Sequence, residues 1–180
     1  MSQRESGYER KDGDLYETPE WVSQVIVPYL PATARVWEPA CGGGKMVSAL
    51  RAAGVRVAKQ TDISTGDDFL LWPQAAPEVN AIVTNPPYCY AAEFCDQALR
   101  LMEGRNGFVA MLLRTDFDHA KSRSHLFRDC PAFAKKIVLT KRIVWFDPPP
   151  GEKGKSPSFN HAWFVWDWTH EGPPTIAYGP

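Results

Sequence analysis

Between residues 34 and 128 short apolar runs alternate with amphipathic stretches, and this alternation constrains the fold more than any other feature. Ala34–Glu38 reads as a strand that stops at Pro39. Lys45–Ala53 reads as a helix ended by Gly54, and Val55–Lys59 as a second strand. Asn80–Thr84 is a third strand, stopped by Pro86 and Pro87. Ala91, Phe94, Cys95, Ala98, Leu99 and Met102 fall on one face, which predicts a helix over 91–103. Gly107–Leu113 follows as a buried strand and Lys121–Arg128 as a helical segment. Upstream, Trp21, Val22, Val25, Ile26 and Tyr29 predict an amphipathic helix over 19–30, with Thr18 as its N-cap and Pro19 at its first turn. Lys135–Leu139 and Ala162–Trp168 complete the strands. Their connection carries no helical period, so they are expected to pair antiparallel. Strands and helices in this order build an α/β fold, a mostly parallel central sheet with helices on both faces.

At 180 residues the chain has the length of about one domain. The expected layout is a flexible N-terminal arm (1–14), a single domain (15–170) containing a mobile Pro/Gly/Lys loop (147–158), and a C-terminal tail (171–180). No apolar run approaches membrane-spanning length, and the polar first residues do not read as a secretory leader. Cys41, Cys89, Cys95 and Cys130 form no C-x-x-C pair, so a disulfide framework and a cysteine zinc site are not expected. A cytoplasmic location fits. The formal net charge of −1 is not that of a tight, non-specific nucleic-acid binder, although local patches can hide inside a neutral total.

In parallel sheets ligands sit beyond the carboxyl ends of the strands, so the residues just after strands carry the information. Gly42-Gly43-Gly44 joins a strand to a helix, where a backbone can approach a ligand closely. A Walker A loop is excluded, because Lys45 is followed by Met46, and a G-x-G-x-x-G fingerprint fails at Val47. What remains is a glycine turn with Glu38 at the strand tip, suited to a ligand bearing positive charge or hydrogen-bond donors, or simply a tight turn. Asn85-Pro86-Pro87-Tyr88 is more specific. Two prolines fix two φ angles and remove two N–H donors. The Pro86 carbonyl then stands beside the Asn85 side-chain carbonyl as a rigid pair of acceptors for one planar NH₂ group. Accepting both hydrogens draws the nitrogen lone pair out of conjugation, and Tyr88 offers a face on which the ring can stack. The plain alternative is a Pro-Pro loop that ends a strand.

The two motifs in this order resemble the S-adenosylmethionine-dependent amino-methyltransferases of the Rossmann-like class I fold, most nearly the compact phage-like DNA adenine-N6 group. The resemblance spans about residues 15–168. It implies S-adenosylmethionine as cofactor, no metal, and DNA as partner. Thr18, in Leu15-Tyr16-Glu17-Thr18-Pro19, would touch the methionine part. Glu38, Pro39, Ala40, Cys41, Gly42 and Gly44 would form the main cofactor loop, with Asn85 at its edge. Asp62 would hold the ribose, Asp68, with Asp67 as its competitor, the adenine amine, and Phe69 would pack on that ring. Asn85, Pro86, Pro87 and Tyr88 would be the catalytic signature. Phe159 is placed like the aromatic that stacks on a flipped target base, and His161 is a candidate for the same pocket. Arg114, Lys153 and Lys155 would meet phosphates. The segment between Val57 and Asn80 is shorter than the family's, which fits a further helix and strand there. Without a separate target-recognition domain, the loops or a recognition partner would read the substrate, or sequence selectivity would be low; a homodimer is also compatible.

The same residues are compatible with cytosine N4, RNA adenine or a protein glutamine amide, each a conjugated NH₂, and with a binding subunit that keeps the fold without turnover. His119 and His125, with Asp116 and Asp118, match no usual metal-ligand spacing and read as surface residues. Alternation puts Trp166 and Trp168 on one face of the last expected strand and Trp163 on the other.

Overall fold

The computed structural model describes residues 16–145 and 159–180. The expected arm 1–14 and loop 147–158, with Lys153 and Lys155 in the loop, lie outside the described residues. The described elements are α1 (Glu20–Ile26), β1 (Arg35–Glu38), α2 (Lys45–Ala52), β2 (Arg56–Gln60), β3 (Ala81–Thr84), α3 (Ala91–Glu103), β4 (Phe108–Arg114), β5 (Phe133–Leu139), β6 (His161–Asp167) and β7 (Thr175–Gly179). They form a seven-stranded sheet in the order β2-β1-β3-β4-β6-β5-β7. Neighbours pair parallel except at β6, which runs antiparallel to both β4 and β5.

Both faces of the sheet are covered, as the alternation predicts. Trp37, Ile82, Val109, Met111, Phe164 and Trp166 pack with α3 on one side. Val36, Val83, Ala110, Leu112, Trp163 and Val165 pack with α1 and α2 on the other. Strands buried on two faces read as continuous apolar runs, which is why β3 and β4 are conspicuous in the sequence. Trp163 and Trp166 lie on opposite faces, as their spacing requires.

Four local expectations change. Thr18 does not cap α1: Pro19 is the cap residue, and its carbonyl accepts from Val22 and Ser23. The first helix is α-helical only to Ile26 and continues as a 3₁₀ turn over Val27–Tyr29, because Pro28 has no N–H for the α ladder. Lys121–Leu126 is likewise a 3₁₀ helix. The segment expected as a tail contains β7, which pairs with β5 through Lys135↔Thr175 to Leu139↔Gly179. Pro173-Pro174 just before it disguises the strand, yet prolines are compatible with the start of an edge strand.

The chain passes from β1 outward to β2 and then back across β1 to β3. The carboxyl ends of β1 and β3 are therefore adjacent at a point where the strand order reverses, the usual place for a crevice. The glycine loop follows β1 and Asn85-Pro86-Pro87-Tyr88 follows β3, so topology brings together two motifs 41 positions apart, Gly44 and Asn85 marking the near ends.

Candidate functional site

A cavity of about 660 Å³ opens at this point. Its lining includes Thr18, Glu38, Pro39, Ala40, Cys41, Gly42, Asp62, Asp68, Phe69, Asn85 and Pro87, all singled out from sequence. Gly44, Pro86 and Tyr88 are not part of that lining. Five carboxylates (Glu17, Glu38, Asp62, Asp67 and Asp68) face it with one amine, Lys45. Such a wall favours a ligand with positive charge and repels phosphates.

Glu38 is the most unusual of these. It is 1% exposed. One carboxylate oxygen accepts from the Ala40 N–H (3.1 Å) and from the Thr84 hydroxyl. The other, Oε2, has no hydrogen-bond partner. Burial, with a smaller contribution from the charge of Asp62, raises its pKa from 4.5 to about 8, against the two hydrogen bonds that favour the ionised form. A buried carboxyl with an unpartnered oxygen calls for a hydrogen-bond partner from outside the protein.

The glycine loop is tied to the end of β2. Cys41 donates its N–H to the Thr61 carbonyl (3.0 Å), and Gly42 donates to Asp62 Oδ2 (2.8 Å). Asp62 Oδ1 accepts from the Ser64 N–H (2.9 Å) and hydroxyl (2.6 Å). Burial would raise the Asp62 pKa, but these bonds outweigh it and hold the group below its ordinary range. Gly42 and Gly44 adopt positive φ, 49° and 83°, and Gly44 is the N-cap of α2. A Cβ at Gly44 meets no neighbouring atom within 4 Å, so backbone strain alone opposes it. Gly44→Ala is expected to cost about 1–2 kcal/mol, read as a lower melting temperature of the ligand-free protein. At Gly43 a Cβ would collide with Glu17 Oε1, so this carboxylate lies directly over the loop.

The far wall is fixed through α3. Gln97 donates to the Phe69 (3.0 Å) and Trp72 (2.7 Å) carbonyls, while Asp68 caps a short turn by accepting from Leu70 (2.9 Å). Phe69 is buried between Trp37 (5.2 Å, edge-on) and Phe94 (4.9 Å). No strand lies outside β2 in the described sheet, consistent with the short connection before Asn80.

Asn85 stands at the boundary of two environments. Its amide Nδ2 donates to the backbone carbonyl of Tyr16 (3.0 Å). That bond orients the amide and leaves Oδ1 buried with no partner. On the other side Tyr88 belongs to an aromatic group with Tyr16 (6.1 Å between rings) and His161 (5.9 Å). Trp145 packs on Tyr16 (5.5 Å) and edge-on to His161 (5.3 Å).

The remaining sequence-named residues separate from this centre. Arg114 forms a bidentate pair with Asp116 (2.7 and 3.1 Å) and lies 4.1 Å over the Phe159 ring. Both stand outside the cavity lining. His125 bonds Asp96 (2.9 Å) and His119 approaches Asp118 (3.5 Å), in keeping with surface positions. Among the described residues no group of three or more His, Cys, Asp or Glu is placed to hold a metal ion, and no helix is long and apolar enough to cross a membrane. Sequence reasoning gave no role to Glu17, Lys45, Tyr90 or Trp145. Glu17 carried a signal, since it abuts Thr18, but Trp145 lies far from either motif and had none.

No protein-family model and no curated protein matches the chain. Solved structures do. A candidate class I S-adenosylmethionine-dependent methyltransferase from Listeria monocytogenes superposes with a TM-score of 0.59 at 14% identity, over 90% of this chain and 65% of the other. The type IIG restriction endonuclease BpuSI matches with a TM-score of 0.50 at 14% identity, over 86% of this chain and 26% of its own. The chain thus spans just under two thirds of the first structure and about a quarter of the second. At these identities the likeness speaks for the fold. The chain has the Rossmann-like α/β architecture of class I methyltransferases, with its motif loops at the switch point where such folds open a crevice.

Proposed function

We propose that this protein is an S-adenosylmethionine-dependent methyltransferase that acts on the N6 amine of adenine in DNA. The observation that carries the reading is the buried Asn85 Oδ1, a partnerless acceptor at the edge of an acidic cavity and beside a Pro-Pro backbone. The cavity fits the cofactor on its own chemistry: S-adenosylmethionine carries an ammonium and a sulfonium, and the wall presents five carboxylates, one of them with an empty oxygen. Its volume lies in the range of small-molecule sites. Glu38 and Thr18 would hold the amino-acid end, Asp62 the ribose, and Asp68 with Phe69 the adenine. When bound, the cofactor supplies an electrophilic methyl group on its sulfonium.

The chain's own work is positioning. Asn85 Oδ1 and the Pro86 carbonyl accept the two N–H groups of the target amine. With both hydrogens held, the nitrogen lone pair leaves conjugation and is aimed for a single in-line displacement. The amine held by Asn85 and Pro86 would take that methyl group from the sulfonium and then release one proton to solvent. An amine inside a duplex is out of reach, so the base must be flipped out or come from a single strand. Tyr88 would stack on it, with Tyr16 and Trp145 as neighbouring aromatic surfaces. Phosphates stay outside, because the cavity is acidic. Support for DNA over other NH₂ substrates comes from the form of the tetrapeptide and from BpuSI, a restriction endonuclease and hence an enzyme of DNA.

The test is nucleoside mass analysis of DNA from methylation-deficient bacteria that express the chain. N6-methyladenine is expected, and far less of it with Asn85→Ala. N4-methylcytosine instead would keep the site and change the base. Neither product would sink the DNA assignment and turn attention to RNA and to protein amides.

A further inference from the structure

β6 is the one described strand that runs against its neighbours, so its first residue lies at the sheet edge where β3 and β4 end. That residue is His161, paired in register with Arg114, the last residue of β4. It is 3% exposed. Its Nε2 lies 2.9 Å from the Tyr88 hydroxyl. Trp145 closes on it edge-to-face, and the Tyr88 ring lies nearly alongside, tilted by 31°. A polar ring placed so deeply next to the catalytic tetrapeptide does more than fill space, since a leucine there would pack without desolvating two nitrogens.

We infer that His161 is a positioning residue: its Nε2 accepts a hydrogen bond from the Tyr88 hydroxyl and so fixes the plane on which the target base stacks. This rests on the functional reading above for what Tyr88 does, though the bond itself does not. The protonation state agrees. Burial, and next the positive charge of Arg114, hold the His161 pKa down at about 4, so the ring is neutral at ordinary pH. A neutral imidazole has one donor and one acceptor nitrogen. Nδ1 makes no hydrogen bond of full geometry, yet the Phe159 backbone acts to favour a proton on the ring. A proton on Nδ1 leaves Nε2 as acceptor, and the Tyr88 hydroxyl as donor. Tyrosine held at both ends, by Pro87 in the backbone and by His161 at the hydroxyl, cannot swing away when the base arrives. Stacking then costs little ordering.

A double-mutant cycle with a spectroscopic control tests this. In single-turnover methyl transfer to DNA, Tyr88→Phe and His161→Leu should each lower the rate by roughly tenfold, the value of one hydrogen bond. The double variant should be no worse than either, because both remove one interaction. His161→Gln, which restores an acceptor, should recover most of the His161→Leu loss, and S-adenosylhomocysteine affinity should stay unchanged throughout. Losses that multiply in the double variant, or glutamine no better than leucine, would overturn the inference. In ¹⁵N-histidine spectra at pH 7, His161 should be neutral with Nε2 unprotonated, and its Nε2 signal should move in Tyr88→Phe. An unmoved signal overturns the bond whatever the activity. A moved signal in a protein that methylates no DNA would instead overturn the functional reading and leave the His161–Tyr88 lock standing.

Discussion

Asn85→Ala is expected to lower methyl transfer by roughly 100- to 1000-fold while cofactor affinity changes little, the size of effect seen when one preorganised transition-state contact is removed. The asymmetry follows from where the two ends of the amide point. Nδ2 is already spent on the Tyr16 carbonyl (3.0 Å), and Oδ1 is spent on nothing. Alanine removes the empty acceptor, and the target amine would keep one N–H unpaired and its lone pair partly delocalised. Asn85→Asp separates the two roles. It keeps an acceptor but replaces a donor to Tyr16 with an oxygen facing an oxygen. We expect it to retain more transfer than alanine and to bind DNA less well. Rapid-quench transfer, calorimetric S-adenosylhomocysteine binding and a DNA-binding titration check these statements. Full activity in Asn85→Ala would exclude the positioning mechanism.

The second large effect concerns Glu38. Removing its carboxylate should weaken cofactor binding by roughly 10- to 100-fold, because a charge-assisted contact to the ligand's ammonium is lost. pH adds a sharper signature. In the ligand-free fold the pKa of Glu38 is raised from 4.5 to about 8. Between those values the folded state holds a proton that the unfolded chain has released. This group's contribution to stability is therefore full below about pH 4.5, falls as pH rises, and levels off above about pH 8. Glu38→Gln keeps the shape and removes the titration. The ligand-free variant should melt at a higher temperature than wild type at pH 8.5, and the two should converge near pH 5. Cofactor binding runs the other way, since a cation selects the ionised carboxylate. Wild-type affinity for S-adenosylhomocysteine should rise toward pH 8, by at most about tenfold per pH unit, and Glu38→Gln should be flat. A wild-type affinity independent of pH would show that Glu38 does not face the ligand's charge.

The elements most legible in the sequence were those buried on both faces. β3 and β4 announce themselves as unbroken apolar runs, and α3 as a 13-residue amphipathic helix with eight buried positions. Short-range chemistry was also legible: glycine turns, prolines that end strands, and a carboxylate at a strand tip. Less legible were features that depend on a partner elsewhere in the chain. β7 is a strand because β5 offers an open edge, and five residues after a Pro-Pro step carry no pattern strong enough to reveal it. Nor does the sequence show that Arg114 is engaged by Asp116 two residues on and by the Phe159 ring.

The sequence by itself determined which groups the loops carry: Glu38 ahead of three glycines, and Asn85 ahead of two prolines. Their chemistry is local, because φ angles and side-chain types need no distant contact. Only the tertiary structure decided that these loops meet. The reversal of strand order between β1 and β3 sets them side by side, and the antiparallel β6 returns His161 to the same edge. Burial then did what no sequence pattern specifies. It stripped water from Glu38, Asn85 and His161, leaving one proton held, one acceptor empty, and one imidazole neutral against Tyr88.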